Sequence, residues 1–177
     1  MIERLPFRAT LSSAGYEELR LPVSILLDNV RSMYNVGSFF RTADGAGIER
    51  LYLSGITAYP PKKGIAKTAL GAEERVAWQR VSDPLMHVEE LRSTGYEIAG
   101  IETSERALDI FDWHARFPVC VLFGHEVEGL SPALQAACDT HVRIPMLGLK
   151  HSLNVACAGA VVMYELLRKY RALRLAS

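Results

Sequence analysis

No stretch of this 177-residue sequence is long and apolar enough to cross a membrane as a helix. Its opening residues, MIERLPFRATLSSAGYEELRLP, lack the apolar core of a secretory signal. A cytoplasmic protein without a membrane partner is expected. There is also no excess of one charge, since 20 Lys and Arg balance 20 Asp and Glu. The global electrostatic footprint of a nucleic-acid binder is missing, so such a partner must be met by local patches. The three cysteines, Cys120, Cys138 and Cys157, are odd in number and lack metal-type spacing. That argues against a disulfide framework or a zinc site, and it makes Cys120 and Cys157, both in apolar runs, buried free thiols of a reducing compartment. No Gly-x-Gly-x-x-Gly follows the first apolar run and no Gly-x-Ser-x-Gly elbow occurs, which disfavours a dinucleotide enzyme and a serine hydrolase. Repeats, low-complexity tracts and linkers are absent too.

What is present is ordinary globular composition, 49% hydrophobic and 23% charged, in a chain long enough for one domain with a full core. Short apolar runs at Ser24–Asp28, Arg50–Ser54, Tyr96–Ile101, Val119–Phe123 and Val142–Ile144 read as strands. Val36–Ala46, Asp83–Ser93 and Pro132–Ala137 read as helices; the first sets Val36, Phe39, Phe40, Ala43 and Gly47 at helical spacing. This alternation predicts an α/β fold, a mainly parallel sheet with helices on both faces. The stretch Ile56–Arg80 breaks the rhythm and reads as an irregular insertion, with one helical turn at Ala66–Leu70. A final helix from about Leu153 to about Leu173 starts with small apolar residues, which predicts burial, and ends basic.

Three glycine-containing turns at strand ends carry the candidate chemistry. In the first, Asn35 opens a helix in the pattern Asn-x-Gly-x-x-x-Arg, ending at Arg41. Taken alone, Asn35 is an N-cap and Arg41 a solvated side chain. In the second, VLFGHEVEGLSP (121–132), Gly124 ends a buried strand and Ser131-Pro132 starts a helix. Gly124 lets a ligand approach the backbone. The cluster of His125, Glu126 and Glu128 lacks helical His-Glu-x-x-His spacing, so a metal is not expected there. The third, Ile144–Glu165, runs from a strand through a Pro-Met-Leu-Gly turn to Ser152 and Asn154 before the last helix. Ser152 and Asn154 are either caps or polar groups at a ligand floor.

In this order, Asn35-Val36-Gly37-Ser38-Phe39-Phe40-Arg41, then Phe123-Gly124-His125-Glu126-Val127-Glu128-Gly129-Leu130, then Ile144-Pro145-Met146 with Ser152-Leu153-Asn154-Val155 resemble the three motifs of SpoU/TrmH-type RNA ribose methyltransferases of the SPOUT superfamily. The resemblance covers residues 24 to about 168, after an extension of residues 1–22, within one domain of residues 1–177. It implies a deep trefoil knot in the carboxyl third, against the general rule that chains do not thread loops. It also implies S-adenosyl-L-methionine as methyl donor, S-adenosylhomocysteine as product and no metal. The substrate would be a ribose 2′-hydroxyl of tRNA or rRNA, and the protein a homodimer with a composite active site.

By the same resemblance, Thr103, Gly124, Ile144 and Leu153 would bind the cofactor, while Asn35, Arg41, Glu126, Ser152 and Asn154 would form the catalytic site. Arg41 would reach the cofactor held by the partner chain, as a base or as a phosphate and ribose clamp. A guanidinium is almost never neutral in a protein, which favours the clamp equally well. Glu126 and Asn35 would orient it and hold the loops. His125 stands where many relatives have a small polar residue and either contacts the cofactor or the RNA or is a bystander, the last being the preferred reading. Ala156-Cys157-Ala158 stands where relatives carry a Ser-containing run, so small packing is kept. A separate amino-terminal RNA-binding domain, carried by some relatives, is not expected. RNA phosphate contacts are therefore expected from Lys62, Lys63, Lys67, Arg4, Arg8, Arg20 and the Arg168–Arg174 stretch. A non-catalytic RNA-binding protein of the same fold is the alternative, opposed by the joint presence of the five polar residues.

Overall fold

Strand β1 (Leu21–Asp28) is buried along almost its whole length, and its side chains divide by the period of two. Ile25 and Leu27 pack into one core cluster while Leu26 packs into the other. A strand apolar on both faces needs cover on both, and helices supply it. The structure is a computed structural model that describes residues 20–104 and 106–176. Arg4 and Arg8 lie outside the described residues.

The remaining elements follow in order: α1 (Met33–Ala46), β2 (Ile48–Ser54), α2 (Lys63–Ala69), β3 (Trp78–Val81), α3 (Pro84–Ser93) and β4 (Glu97–Ile101), then β5 (Leu108–Asp109), β6 (Val119–Phe123), α4 (Pro132–Ala136), β7 (Thr140–Arg143) and α5 (Val155–Ala176). The strands form one sheet in the order β3-β2-β1-β6-β4-β7-β5. Every pairing is parallel. One core cluster joins the sheet to α1, α2 and α5 through Phe39, Phe40, Ile65, Val162 and Met163. The other joins it to α3 and α4 through Val88, Leu91 and Leu134. Strand β6 fills the place between β1 and β4, and β7 the place between β4 and β5, so late strands enter between earlier ones. That order is consistent with the knotted path implied by the resemblance.

The expected strands and helices are present with shifted ends. Asp83 and Ser131 cap α3 and α4 as their side chains accept from Met86 N and Leu134 N, each with proline in the first turn. Helix α1 starts earlier than expected, because Ser32 is its N-cap and accepts from Asn35 N. The region Ile56–Arg80 is not an irregular insertion. It holds α2, a 3₁₀ turn at Ala72–Glu74 and the edge strand β3. Of the cysteines, Cys120 is buried and Cys138 half-buried, but Cys157 is exposed on the outer side of α5 with Val161 and Tyr164. The first half of α5 is thus open along one face, where burial all round was expected.

Its inner face is packed against α1. A Cβ placed on Gly159 would lie 2.3 Å from Cε1 of Phe39, a ring that itself sits edge-on to Phe123 at 5.1 Å. Only glycine allows this approach. Gly159→Leu should cost about 1–3 kcal/mol of stability, read as a lowered urea midpoint at unchanged slope, the cost of overpacking a filled core. An unchanged midpoint would show that the two helices can part without penalty.

Candidate active site

The carboxyl ends of β4, β6 and β7 point the same way because the strands are parallel, and ligands of open α/β sheets bind there. Beyond them the chain encloses a cleft of about 190 Å³. Thr103 follows β4, Gly124 follows β6, and Ile144 follows β7; all three line it together with Leu153. Glu126 and Ser152 line it as well. Apolar wall is supplied by Ile101, Phe123, Met146, Val155 and Ala158.

The loop after β6 turns back on itself. His125 and Gly129 exchange two backbone hydrogen bonds, at 3.0 and 2.9 Å, and Gly129 takes a positive φ of 72°. A Cβ on Gly124 would lie 2.2 Å from the Gly129 backbone. Gly124 is therefore demanded by the loop itself, in addition to its place on the cleft wall. His125 braces this turn, since its Nδ1 accepts from Val127 N and Glu128 N, both at 3.2 Å. A ring nitrogen that accepts carries no hydrogen, so Nε2 holds it.

Glu126 ties the β1–α1 turn and the start of α1 to this loop. Its Oε2 accepts from Arg31 N at 3.1 Å, and its Oε1 accepts from Ser32 N and from Asn35 Nδ2, both at 3.2 Å. Burial opposes the charge on this carboxyl, but the N–H donors of Arg31, Ser32, Asn35 and its own backbone outweigh it and hold its pKa below the usual glutamate range. Asn35 is not a cap. It occupies the third helical position of α1, where its Oδ1 accepts from Asn154 Nδ2 at 3.2 Å. Asn154 does cap α5, as its Oδ1 accepts from Ala156 N and Cys157 N. One continuous chain, Glu126–Asn35–Asn154, thus links all three turns.

Arg41 stands apart. It is exposed on α1, about 9 Å along the axis from Asn35 at 1.5 Å per residue, and is not among the residues lining the cleft. Lys62, Lys63 and Lys67 are exposed on or beside α2, with Lys67 Nζ 6.0 Å from the ring centre of Tyr34 in the first turn of α1. Arg168 forms a two-toothed pair with Glu165 at 2.7 and 2.8 Å, and Lys169 Nζ is turned onto the carbonyls of Ile110, Phe111 and Trp113. Arg168 thus stays largely exposed while paired within α5, whereas Lys169 is mostly covered and ties α5 to the segment after β5. Sequence reasoning passed over Glu102, a half-buried carboxylate on the cleft wall one residue beyond β4. Its position just past a parallel strand was the signal that could have found it. Among the described residues no three or more His, Cys, Asp or Glu side chains are grouped to hold a metal ion.

Comparison with known proteins agrees with this geometry. Residues 22–164 match the sequence profile of the SpoU rRNA Methylase family. A Staphylococcus haemolyticus protein, whose name places it in the TrmH family of tRNA/rRNA methyltransferases, is 33% identical over 149 residues, covering 84% of this chain and 59% of its own. The chain therefore spans about three fifths of the length of the curated relatives it matches. Among solved structures, the SpoU methyltransferase AviRb from Streptomyces viridochromogenes, in complex with AdoMet, superposes with a TM-score of 0.77 at 31% identity, over 86% of this chain and 60% of that one. An RNA 2′-O ribose methyltransferase superposes with a TM-score of 0.77 at 27% identity, over 95% of this chain and 63% of that one.

The Glu126 hub has a pH signature. A carboxyl with a depressed folded pKa adds stability that is present above the unfolded glutamate value of about 4.3 and is lost as pH falls through the folded value. Glu126→Gln offers its three outside donors only one oxygen and carries no charge. The variant should melt below the unmodified protein at pH 7, and the gap should close as pH drops below about 4. The effect should be modest, because the group is exposed and solvent screens it. A gap of the same size at pH 7 and pH 3 would contradict the assigned role of the charge.

Proposed function

The chain belongs to the SpoU rRNA Methylase family, and from that premise we propose that it transfers a methyl group from S-adenosyl-L-methionine to a ribose 2′-hydroxyl of tRNA or rRNA. The observation that carries this reading is the joining of three turns by the Glu126–Asn35–Asn154 chain at a cleft with apolar walls. The cleft suits this cofactor. Ile144, Leu153 and Ala158 offer apolar surface for an adenine, and Glu102 and Glu126 offer carboxylates toward a cation. Thr103, Gly124, Ile144 and Leu153 would hold the adenosyl and methionine parts. When bound, the cofactor supplies a methyl already activated by its sulfonium, so the protein's task is alignment and removal of a proton.

Glu126, Asn35 and Asn154 perform the alignment by fixing the loops on either side of the cleft relative to each other. Ser152, exposed on the cleft lining, would meet the ribose. Arg41 stays cationic and grips the RNA phosphate, which orients the 2′-hydroxyl for in-line attack while its proton passes to phosphate or water. Since Arg41 does not line its own cleft, the reading requires a second copy to deliver it. Cys157, Val161 and Tyr164 are exposed on α5, and this stripe reaches α1 at Gly45, where a Cβ would be 3.0 Å from the Tyr164 hydroxyl. An apolar stripe of this kind suits a homodimer face. Lys62, Lys63 and Lys67 would add phosphate contacts near the start of α1.

Incubating the protein with methyl-labelled S-adenosylmethionine and bulk tRNA or rRNA tests the reaction. Label should survive alkaline hydrolysis within dinucleotides, because a 2′-O-methyl group blocks cleavage of the adjoining bond; label on a base, or none, rejects the proposal. Arg41→Ala and Asn154→Ala should each lower transfer by about 10²-fold or more, by loss of alignment. Mixing the two inactive variants should restore activity, since a mixed dimer contains one cleft with intact Asn154 served by an intact Arg41. Mixtures that exchange subunits yet stay inactive would refute the composite site.

A further inference from the structure

Glu102 is the carboxylate of the cleft that the fold has engaged least. Its backbone N–H donates to Val142 O at 3.0 Å, which fixes the residue across the end of β7. The side-chain Oε1 accepts only two long bonds, from Leu130 N and Gln135 Nε2, both at 3.4 Å. Oε2 lies toward Gly129, where a Cβ would come within 3.4 Å of it, so the missing side chain leaves that oxygen unhindered. Burial pushes its pKa up, and the Leu130 N–H, His141 and Gln135 only partly offset this. Glu126, by contrast, is met by three donors from other residues. Among the described residues lining the cleft there is no lysine or arginine. A half-buried, weakly compensated carboxylate in such surroundings presents an unspent negative potential.

On the methyltransfer reading, which this inference rests on, the two forms of the cofactor differ in charge. Transfer forms the C–O bond and breaks the C–S bond; the electron pair stays on sulfur, and the 2′-hydroxyl proton passes to water or phosphate. The donor with its sulfonium carries one more positive charge than the thioether product. We infer that Glu102 makes the cleft charge-selective, holding the cationic methyl donor more tightly than its demethylated product and so favouring exchange of product for fresh donor. The selectivity acts on binding and turnover rather than on the chemical step. A negative wall stabilises the localised charge of the ground state at least as much as the dispersed charge of the transition state, whereas product release is a common limit on turnover. Glu102 is on this account a specificity residue for the cofactor, distinct from the loop-joining work of Glu126.

Titration calorimetry on the full chain tests it with three ligands: S-adenosylmethionine, sinefungin, which carries an ammonium group in place of the sulfonium, and S-adenosylhomocysteine. The unmodified protein should bind both cationic ligands about five- to tenfold more tightly than the thioether, a tenfold ratio being about 1.4 kcal/mol. In Glu102→Gln the two cationic ligands should weaken by about that factor and the thioether by less than about twofold, erasing the preference. Retained thioether binding shows that the variant is folded, and Glu102→Asp should keep the preference. Equal weakening of all three ligands, or no change in their ratio, overturns the inference while leaving the methyltransfer reading intact. Failure of the unmodified chain to bind any of the three overturns both.

Discussion

Three loops from distant parts of the sequence meet because one carboxylate holds the start of α1, and Asn35 passes the connection on to Asn154. Glu126 takes the Arg31 and Ser32 amides of the β1–α1 turn while sitting in the turn after β6. Hydrogen bonds to an ionised acceptor are stronger than neutral ones, which matters for loops with little buried apolar surface of their own. Asn35 extends the junction in a way few side chains can. Its amide donates through Nδ2 to Glu126 and accepts through Oδ1 from Asn154, so it serves both neighbours at once. An aspartate there would repel Glu126, and an aliphatic residue would leave both partners unmet. The assignment of Ser32 as cap is what frees Asn35 for this task.

That junction can be rigid only because the sheet beneath it is. At the end of β1, Asp28 accepts from Ser54 Oγ at 2.7 Å, and Thr57 bridges Leu27 O and Val30 N at 3.0 Å each. Asn29 adopts a positive φ of 58° and accepts from Ile56 N. The chain therefore leaves β1 along a fixed direction before it reaches Ser32. On the far side, Asn154 caps α5, whose inner face presses Gly159 onto Phe39. Phe39 in turn meets Phe123, the last residue of β6, just ahead of Gly124. Hydrogen bonds at the carboxyl ends of the strands and aromatic packing on the face covered by α1 and α5 bind the same three elements, α1, α5 and β6.

The parts of this arrangement that were legible in the sequence are those with a periodic or compositional signal. Strands β1 and β6 are apolar on both faces and could hardly be anything else. Strand β3, four residues long at the sheet edge, and β5, with two residues, carry no such signal, as both are partly exposed and are set by pairing with β2 and β7. Helix α2 was half-seen because Lys63-Gly64 does not resemble a helix start; it is held by contact, with Gly64 against Met33 and Gly37 beneath Thr68. The start of α1 was misplaced because Ser32 and Asn35 are both good caps, and only the tertiary partner of Asn35 decides between them. Cys157 was expected inside because composition does not reveal that one face of α5 lacks cover within a single chain. Three turns could be named from their residues, whereas Glu102 could not, since its meaning depends on which strands lie beside β4.

The even balance of 20 basic and 20 acidic residues neither requires nor excludes a nucleic-acid partner, and the geometry gives that balance a meaning. Charge of the two signs is segregated rather than mixed around the site. The described cleft lining holds Glu102 and Glu126 with no lysine or arginine, while Lys62, Lys63 and Lys67 are exposed on α2 beside the first turn of α1. A cleft that prefers a cationic small molecule would repel a polyanion if it had to admit it. On the proposed reading it does not, for the RNA needs to bring only one ribose to the rim, and its phosphates can meet cations placed outside. Arg41 is then best supplied from a second copy. A guanidinium on the same chain and within reach of Glu126 would pair with it and weaken the hold on the loops, whereas one arriving with the partner meets Glu126 already engaged by its backbone donors. Net neutrality is thus compatible with an RNA substrate, provided that each sign of charge is kept to the surface where its own partner binds.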